Sequence, residues 1–591
     1  MMQLTMRSIL NILGLAVAVA VVQGVTSETA RSYVTSMTDK LHLLVMERHL
    51  IVNLHEYIDK LQERADTLKR LAQELESTLK AAEGREKEFL SNPLHTYTLI
   101  RHMHADWIQL ERSMQQPVGQ EQIDFIKEMQ PELPLSRDVM EVTAAMYRVQ
   151  QTYEMEPADM SRGLLDGVQL NANLSILDCY GMGALLFRAA EFQDASKWLR
   201  TARHLWNQSQ ADLYVLLNVS RTDISSLLAR SLIANGELDS ARALLMDEPE
   251  LWTRKEEFFA EYWTDRKSTD GIVDRYIGRL EKPFTKLCGS SRNPKPTRLA
   301  CYYKTSPSEF LRLAPFKVEL LSKDPYVVVF HDVIHESEIA ETKLCGSSRN
   351  PKPTRLACYY KTSPSEFLRL APFKVELLSK DPYVVVFHDV IHESEIAELI
   401  RIGEPTLKRT GVQNITQSKH IIISKDRTAS GSWILNGNLT MLERNMIGRI
   451  QKRVEDMTGL IIGFSKTDLQ FLNYVFGGHY ESHYDFFNSS AFPHDRIATT
   501  LIYLNDVVKG GATVFPELEL VVQPERGKVL HWYNMLPGTF DYDLRSLHGG
   551  CPVLIGEKIA LTNWIYEWDQ MFRKPCLQSP VNRTYYFDVK D

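Results

Sequence analysis

The chain has 591 residues, enough for about four units at roughly 150 residues each. Its hydrophobic content of 44% and charged content of 24% are those of globular protein. A formal net charge of -7 over this length is mild and gives no electrostatic case for nucleic-acid binding, which usually requires a concentrated basic face.

Arg7 precedes an apolar run from Ile9 to Val22, interrupted by Asn11 and Gly14, and then the small residues Gly24 to Ser27. This pattern predicts a signal peptide over residues 1–27, because about 14 apolar residues fall short of the roughly 20 that span a bilayer. No later stretch is apolar enough to span, so a soluble chain in the secretory pathway is expected. Seven N-x-S/T sequons agree with that route, at Asn173, Asn207, Asn218, Asn414, Asn438, Asn488 and Asn582. Seven cysteines in an oxidising compartment allow three disulfides. The proposed pairs are Cys288–Cys301, Cys345–Cys358 and Cys551–Cys576, leaving Cys179; nearness in sequence motivates the first two.

Residues 28–165 are expected to be helical. Leu54, Ile58, Leu61, Ala65, Leu68, Ala72, Leu75 and Leu79 step by four and three alternately, an a/d rhythm that suits self-association or one long amphipathic helix. Within residues 166–284, helices are predicted at Cys179–Phe192, Asp194–Trp206, Leu213–Ala234 and Glu237–Met246, with Asn235-Gly236 as a stop. The run from Ile233 to Leu244 resembles part of a tetratricopeptide repeat, a unit that often holds a peptide.

Thr285–Glu341 and Thr342–Glu398 are identical over 57 residues. Solenoid repeats diverge, so complete identity implies a recent duplication or an error in the gene model. Only the second copy runs directly into the downstream domain, and the first, 285–341, is read as supernumerary, expected to pack poorly or to form a partial duplicate. The domain over 342–591 has a different texture. β-Branched and aromatic runs at Tyr383–Phe387, Leu469–Phe476, Ala498–Leu504, Lys528–Tyr533 and Ile559–Tyr566 are punctuated by Gly-Gly pairs, a spacing that predicts a sandwich or jelly roll.

The chemistry concentrates in Tyr480-Glu-Ser-His483-Tyr-Asp485, with His548 and Lys558 downstream. Residues two apart on a strand share a face, so His483 and Asp485 are expected to present an imidazole and a carboxylate to one metal ion. His548 on a facing strand would complete a two-histidine, one-carboxylate triad, which leaves positions open on Fe(II) for a cosubstrate and dioxygen. If the turn after Leu554-Ile-Gly brings the chain back, Lys558 is expected inside the barrel, where a buried cation needs an anionic partner such as the far carboxylate of 2-oxoglutarate. Tyr474 and Tyr503 are candidate hydrogen-bond donors to that cosubstrate. His104-Ala-Asp106 has the same spacing in a helical region, where residues two apart diverge by about 200°. It is read as ordinary polarity, and His494 and Asp495 as loop residues.

The run from Leu472 to Phe486, containing Gly477-Gly-His-Tyr-Glu-Ser-His-Tyr-Asp485, resembles the first metal motif of prolyl 4-hydroxylase alpha subunits. Arg496–Asp506, Gly510–Glu517, Trp532-Tyr-Asn534, His548–Lys558 and Asn563-Trp564 are similar to the same family. The resemblance implies an all-α N-terminal half, comprising a coiled-coil dimerisation region and a tetratricopeptide-like peptide-binding domain, and then a double-stranded β-helix (jelly-roll) catalytic domain. It implies His483, Asp485 and His548 as iron ligands, Lys558 as the 2-oxoglutarate anchor and a Cys551–Cys576 disulfide. The activity implied is conversion of peptidyl proline in collagen-like protein to 4-hydroxyproline, coupled to decarboxylation of 2-oxoglutarate to succinate and carbon dioxide. Dioxygen is the second cosubstrate and ascorbate keeps the iron reduced. A tetramer with protein disulfide isomerase in the endoplasmic reticulum lumen is implied as well. Two alternatives stay open: the same chemistry on another residue or peptide, and a non-catalytic peptide-binding or assembly subunit. The chain departs from the family in a shorter loop from Phe486 to Asp495, in a tyrosine-poor peptide-binding region with Phe187, Phe192 and Trp198, and in the duplication.

Overall fold

The computed structural model describes residues 33–260, 280–290 and most of 358–572, together with strands at 300–304, 316–323 and 326–331. The signal-peptide segment, the sequons at Asn414, Asn438, Asn488 and Asn582, His494, Cys345 and Cys576 lie outside the described residues. The chain falls into two compact units, with the main division after Pro131. Among the described residues no helix is long and apolar enough to cross a membrane.

The first unit is built on α1 (Met37–Ala82), 46 residues long, followed by short helices as far as Met129. The predicted helix is present, but its packed face is not the leucine seam. The buried Asn53 donates to the Gln122 carbonyl at 3.0 Å, Lys60 to the Gln122 side chain at 2.9 Å and Arg64 to the Gln116 carbonyl at 2.6 Å. Gly119, at φ 69°, lies so close to the Tyr57 ring that a Cβ there would sit 2.2 Å from it. Residues 53, 57, 60 and 64 form one helical stripe, and this polar stripe holds the unit together. Leu54, Ile58, Leu61 and Leu79 keep 52%, 47%, 41% and 66% of their surface exposed.

The second unit opens with α2 (Ser136–Thr152), α3 (Ile176–Arg188) and α4 (Phe192–Leu205). Tyr147, Leu186, Trp198 and Ala202 are buried together in their shared core. The predicted helix Leu213–Ala234 is two helices, α5 (Ala211–Leu216) and α6 (Arg221–Ala234). The break has a local cause. Asn218 adopts φ 57°, and Ser220 caps α6 in a reciprocal pair with Asp223. After Gly236 (φ 83°) comes α7 (Leu238–Met246). Asn173, Asn207 and Asn218 are exposed, as glycosylation would require.

The duplicated segments are used unequally. The opening of the first copy completes α8 (Lys282–Ser290). Farther on, that copy forms β1 (Ala300–Lys304), β2 (Phe316–Lys323) and β3 (Tyr326–His331), a three-stranded sheet of its own. The second copy forms β4 (Cys358–Lys361), β5 (Phe373–Lys380) and β6 (Tyr383–His388) in the same registers, Lys374 facing His388 as Lys317 faces His331. Cys288 of α8 is bonded to Cys551 across 263 residues, which overturns the pairs Cys288–Cys301 and Cys551–Cys576. Cys179 is free and buried, as expected for the leftover thiol.

The remaining elements build a two-sheet domain. They are α9 (Glu393–Gly403), β7 (Lys408–Arg409), β8 (Ser430–Ile434), α10 (Met441–Thr458), β9 (Leu469–Tyr474), β10 (Tyr480–His483), β11 (Arg496–Tyr503), β12 (Thr513–Phe515), β13 (Leu520–Val522), β14 (Val529–Tyr533), β15 (His548–Gly550) and β16 (Lys558–Tyr566). The larger sheet runs β4-β5-β6-β14-β11-β16-β9-β8-β7 and the smaller runs β10-β15-β12-β13. On β6, Val385 and Phe387 pack with Ile396, Ile447 and Ile450 of α9 and α10, whereas Val384 and Val386 pack with Phe515 and Trp532. A strand buried on both faces explains the uninterrupted Tyr-Val-Val-Val-Phe run.

α2 is tied directly to this domain. Arg148 donates to the Gly477 carbonyl at 3.3 Å, and the Tyr153 hydroxyl donates to the Pro552 carbonyl at 2.6 Å. Gly477 (φ 68°) presses on Ala145, where a Cβ would meet the alanine methyl at 2.5 Å.

Candidate active site

His483 ends β10 and His548 begins β15, and the two are direct partners in the antiparallel ladder. This pairing joins residues that are far apart in sequence, and their rings lie 4.4 Å apart. His548 therefore stands on the neighbouring strand of the same sheet rather than on a facing strand. Asp485 differs more from expectation. β10 stops at His483, so strand alternation does not aim the carboxylate. Asp485 lies in the following bend, where Oδ2 accepts from the Thr499 hydroxyl at 2.6 Å and the Arg496 guanidinium donates to its backbone carbonyl at 3.1 Å. Arg496 is held in turn by the rings of Phe487 and Trp564, at 4.2 and 3.8 Å.

The donor set fits a metal ion. His483 Nε2 is 3.6 Å from Asp485 Oδ1, His548 Nε2 is 3.6 Å from Asp485 Oδ2, and one ligand atom from each residue lies within 4.8 Å of the others. Each histidine uses Nδ1 on a carbonyl, His483 on Glu481 at 2.8 Å and His548 on Ser546 at 2.9 Å. With Nδ1–H donated there, Nε2 carries the lone pair, the tautomer that a metal ligand needs. Burial, with His483 alongside, pushes His548 down to about 4, so it stays neutral at physiological pH. For Asp485 burial acts upward, but His548, His483 and Arg496 outweigh it and hold the carboxyl below its usual range.

Lys558 opens β16 opposite Tyr474 on β9, so it projects from the larger sheet toward the smaller one. Its Nζ donates to Thr513 Oγ1 at 3.3 Å and lies 5.6 and 5.5 Å from the ring centroids of Tyr474 and Tyr503. Burial pushes it down to about 7, and no carboxylate is paired with it among the described residues. The Tyr503 hydroxyl donates to the same Thr513 oxygen at 2.8 Å. His483, Asp485, His548, Lys558, Tyr474 and Thr513 line one cleft, whereas Tyr503 is not on its lining and reaches it through Thr513.

Arg496, Thr499 and Thr513 lie within the family-like stretches 496–506 and 510–517, but sequence alone assigns no role to any of them. Asp495 is no loose loop residue. It is buried, accepting from the Phe487 and Arg496 amides and from the Tyr542 hydroxyl, and it anchors the loop after the triad. The pair His104/Asp106 lies in a helical turn where Asp106 meets Arg101 at 2.8 Å, away from any cluster.

Two facing sheets with a histidine–aspartate–histidine site and a buried lysine define an Fe(II)- and 2-oxoglutarate-dependent oxygenase. Residues 469–566 match the family model of the 2OG-Fe(II) oxygenase superfamily, and residues 36–167 match that of the prolyl 4-hydroxylase alpha-subunit N-terminal region. The chain is 28% identical over 561 residues to prolyl 4-hydroxylase subunit alpha-1 of Mus musculus, covering 92% of this chain and 95% of that one. It is 29% identical over 574 residues to subunit alpha-2 of Caenorhabditis elegans, covering 94% and 95%. Among solved structures, a viral collagen prolyl hydroxylase from Paramecium Bursaria Chlorella virus-1 aligns over 31% of this chain and 95% of its own, at 23% identity and a TM-score of 0.25. The chain is thus similar to prolyl 4-hydroxylase alpha subunits over most of its length, with an N-terminal region of that family and a C-terminal oxygenase domain.

Proposed function

We propose that the chain hydroxylates peptidyl proline to 4-hydroxyproline in collagen-like or other secretory protein, with 2-oxoglutarate decarboxylated to succinate and carbon dioxide. The cross-strand pairing of His483 with His548 around Asp485, opposite a buried Lys558 that has no counter-charge among the described residues, carries this reading. His483, Asp485 and His548 would hold Fe(II), which supplies dioxygen activation when bound. Lys558 meets the far carboxylate of 2-oxoglutarate, with Tyr474 and Tyr503 beside it, Tyr503 acting through Thr513. The surrounding walls exclude water and fix the reacting carbon against the metal site. Ascorbate would serve as the reductant that keeps such an iron ferrous.

The exposed leucines of α1 suit self-association, and residues 166–284 suit peptide capture by tetratricopeptide-like hairpins. Protein disulfide isomerase as partner and the endoplasmic reticulum lumen as location follow from the family resemblance.

The test is turnover of a Pro-Pro-Gly repeat with Fe(II), 2-oxoglutarate and ascorbate, the isomerase co-expressed, and hydroxyproline read by mass spectrometry. Loss of product in His483→Ala is the expected result. In Lys558→Ala, KM for 2-oxoglutarate rises at least about tenfold, since a hydrogen bond to a charged group is worth about 1.5–3 kcal/mol. The pH dependence has a definite sign. Free Lys558 loses its proton above about 7, and a bound dicarboxylate restores it. Binding then takes up one proton, so the dissociation constant for 2-oxoglutarate is flat below that pH and rises about tenfold per unit above it. Succinate without hydroxyproline moves the substrate to another residue or peptide. No turnover by folded, iron-loaded protein favours an assembly subunit.

A further inference from the structure

A cavity of about 520 Å³ opens between α4 and α6, lined by Arg200, Arg203, His204, Trp206, Arg221 and Leu228. Arg200, Arg203 and His204 recur at i, i+3 and i+4 on α4, so they share one face. Among the described residues the lining holds three guanidiniums, an imidazole and an indole, and no acid. The neighbouring acids pair with these guanidiniums without lining the cavity among the described residues. Glu248, with only 13% of its side chain exposed, is met by Arg203 at 3.4 Å and Arg221 at 3.1 Å, and also accepts from Ser225 at 3.1 Å. Arg200 meets Glu237 at 2.6 Å, and Arg203 lies 3.8 Å from the mostly exposed Asp247.

One carboxylate shared by two guanidiniums fixes their direction without filling their capacity. A guanidinium has five N–H donors, and Arg221 meets Glu248 through Nε, which leaves its terminal fork for a further acceptor. Arg221 and Arg200 are each 47% exposed, so both reach solvent from the cavity wall. The volume is that of a small-molecule or peptide side-chain pocket, larger than one inorganic anion needs. Leu228 and the Trp206 ring give apolar surface beside the cations, a pairing suited to the methylenes and backbone of a peptide.

We infer that this cavity is a recognition site for the carboxylate side chains of an acidic peptide, placed on the helical hairpins and separate from the metal site. The inference rests on the proposed function only in taking the ligand to be a peptide. It gives the chain a preference for substrates whose proline-containing stretches are flanked by Glu or Asp.

The test is fluorescence anisotropy of labelled peptides on the full chain, without Fe(II) or 2-oxoglutarate, comparing Pro-Pro-Gly repeats flanked by Glu, by Gln and by Lys. The Glu-flanked peptide is expected to bind about tenfold tighter than the Gln-flanked one, with the preference shrinking as salt is raised. In Arg200→Gln/Arg221→Gln, with folding verified by circular dichroism, the preference collapses while the Gln-flanked peptide binds as before. Arg200→Lys/Arg221→Lys restores part of it. Equal binding of the three peptides overturns the inference, as does a Glu preference that survives the glutamine pair. Displacement of the acidic peptide by micromolar inorganic phosphate also overturns it, because the cavity then serves a free anion. The readout needs no turnover, so a failure of proline hydroxylation leaves it standing. Hydroxylation of all three peptides with equal KM removes this inference alone.

Discussion

The two 57-residue copies are the same sequence, and the molecule treats them differently. Both fold into a hairpin with one register, Val318 facing Phe330 and Val375 facing Phe387. Local sequence therefore dictates the hairpin. Position in the chain dictates its use: β6 pairs with β14 and is buried on both faces, while β3 stays in a sheet of three among the described residues. At the start of the first copy the Thr-Lys-Leu-Cys stretch packs on α8, whereas the matching stretch of the second copy lies outside the described residues. What precedes it differs. Phe284, 1% exposed, sits against Gly549 beside His548, with Cys288, Ala512, Val514 and Cys551 around it, and Glu341 stands at the matching place before the second copy. A buried phenylalanine docks a helix there, and a glutamate would bring an uncompensated charge. The domain thus takes its helix from one copy and its strands from the other, which is why the first copy is only in part surplus.

The sharpest way to break this contrast is to place one substitution in both copies. Val385→Asp buries a charge on β6 and is expected to cost at least about 3–5 kcal/mol, abolishing cooperative melting and turnover. Val328→Asp, its sequence twin, is expected to leave the melting of the oxygenase domain and its turnover unchanged. Next in size is Phe284→Glu, which makes the approach to both copies alike. Loss of the buried ring is expected to cost about 3–5 kcal/mol, and the bond to Cys551 should then be divided between Cys288 and Cys345. Tryptic peptides of the two copies are the same Leu-Cys-Gly-Ser-Ser-Arg, so Ser290→Thr is added as a mass label to tell them apart. Smaller again is Cys288→Ser, expected to cost about 2–4 kcal/mol by freeing a long loop in the unfolded chain. A serine variant that melts like the parent would show that Phe284 alone docks α8.

The same division between local and distant causes governs what could be read from sequence. The strands at 383–387, 469–476, 498–504, 528–533 and 559–566 were legible because continuous β-branched runs allow little else, and the observed boundaries differ by one or two residues at most ends. His483, His548 and Lys558 were legible as a set because histidines and a lysine on apolar strands need partners. Three features were not. Asp485 reaches the site through Thr499 and Arg496 beyond the end of its strand, a placement that a two-residue period does not contain. The break at Asn218 was signalled by Ser220-x-x-Asp223, but the apolar run across it read as one helix. The Cys288–Cys551 bond spans a distance that sequence proximity argues against, and a repeated cysteine pair invites a local pairing instead.

The smallest effect is expected from the largest change. Removing Thr285–Glu341 and removing Thr342–Glu398 give one and the same chain, because the copies are identical. In that chain Phe284 still precedes Thr-Lys-Leu-Cys, and the strands corresponding to β4, β5 and β6 still lead into α9. Everything the domain draws from either copy is therefore present once. The connection now running from 291 to 357 shortens to about ten residues, which on loop-closure entropy alone favours the folded state by about 1–2 kcal/mol. The expected outcome is turnover within about twofold of the parent and a melting temperature equal or slightly higher, a span typical of changes that touch no core. Lost turnover in a soluble, cooperatively melting deletion would assign β1–β3 a part in the reaction, and insolubility would assign them one in folding. Unchanged turnover would leave the β1–β3 sheet as a passenger whose sequence folds because it was copied whole.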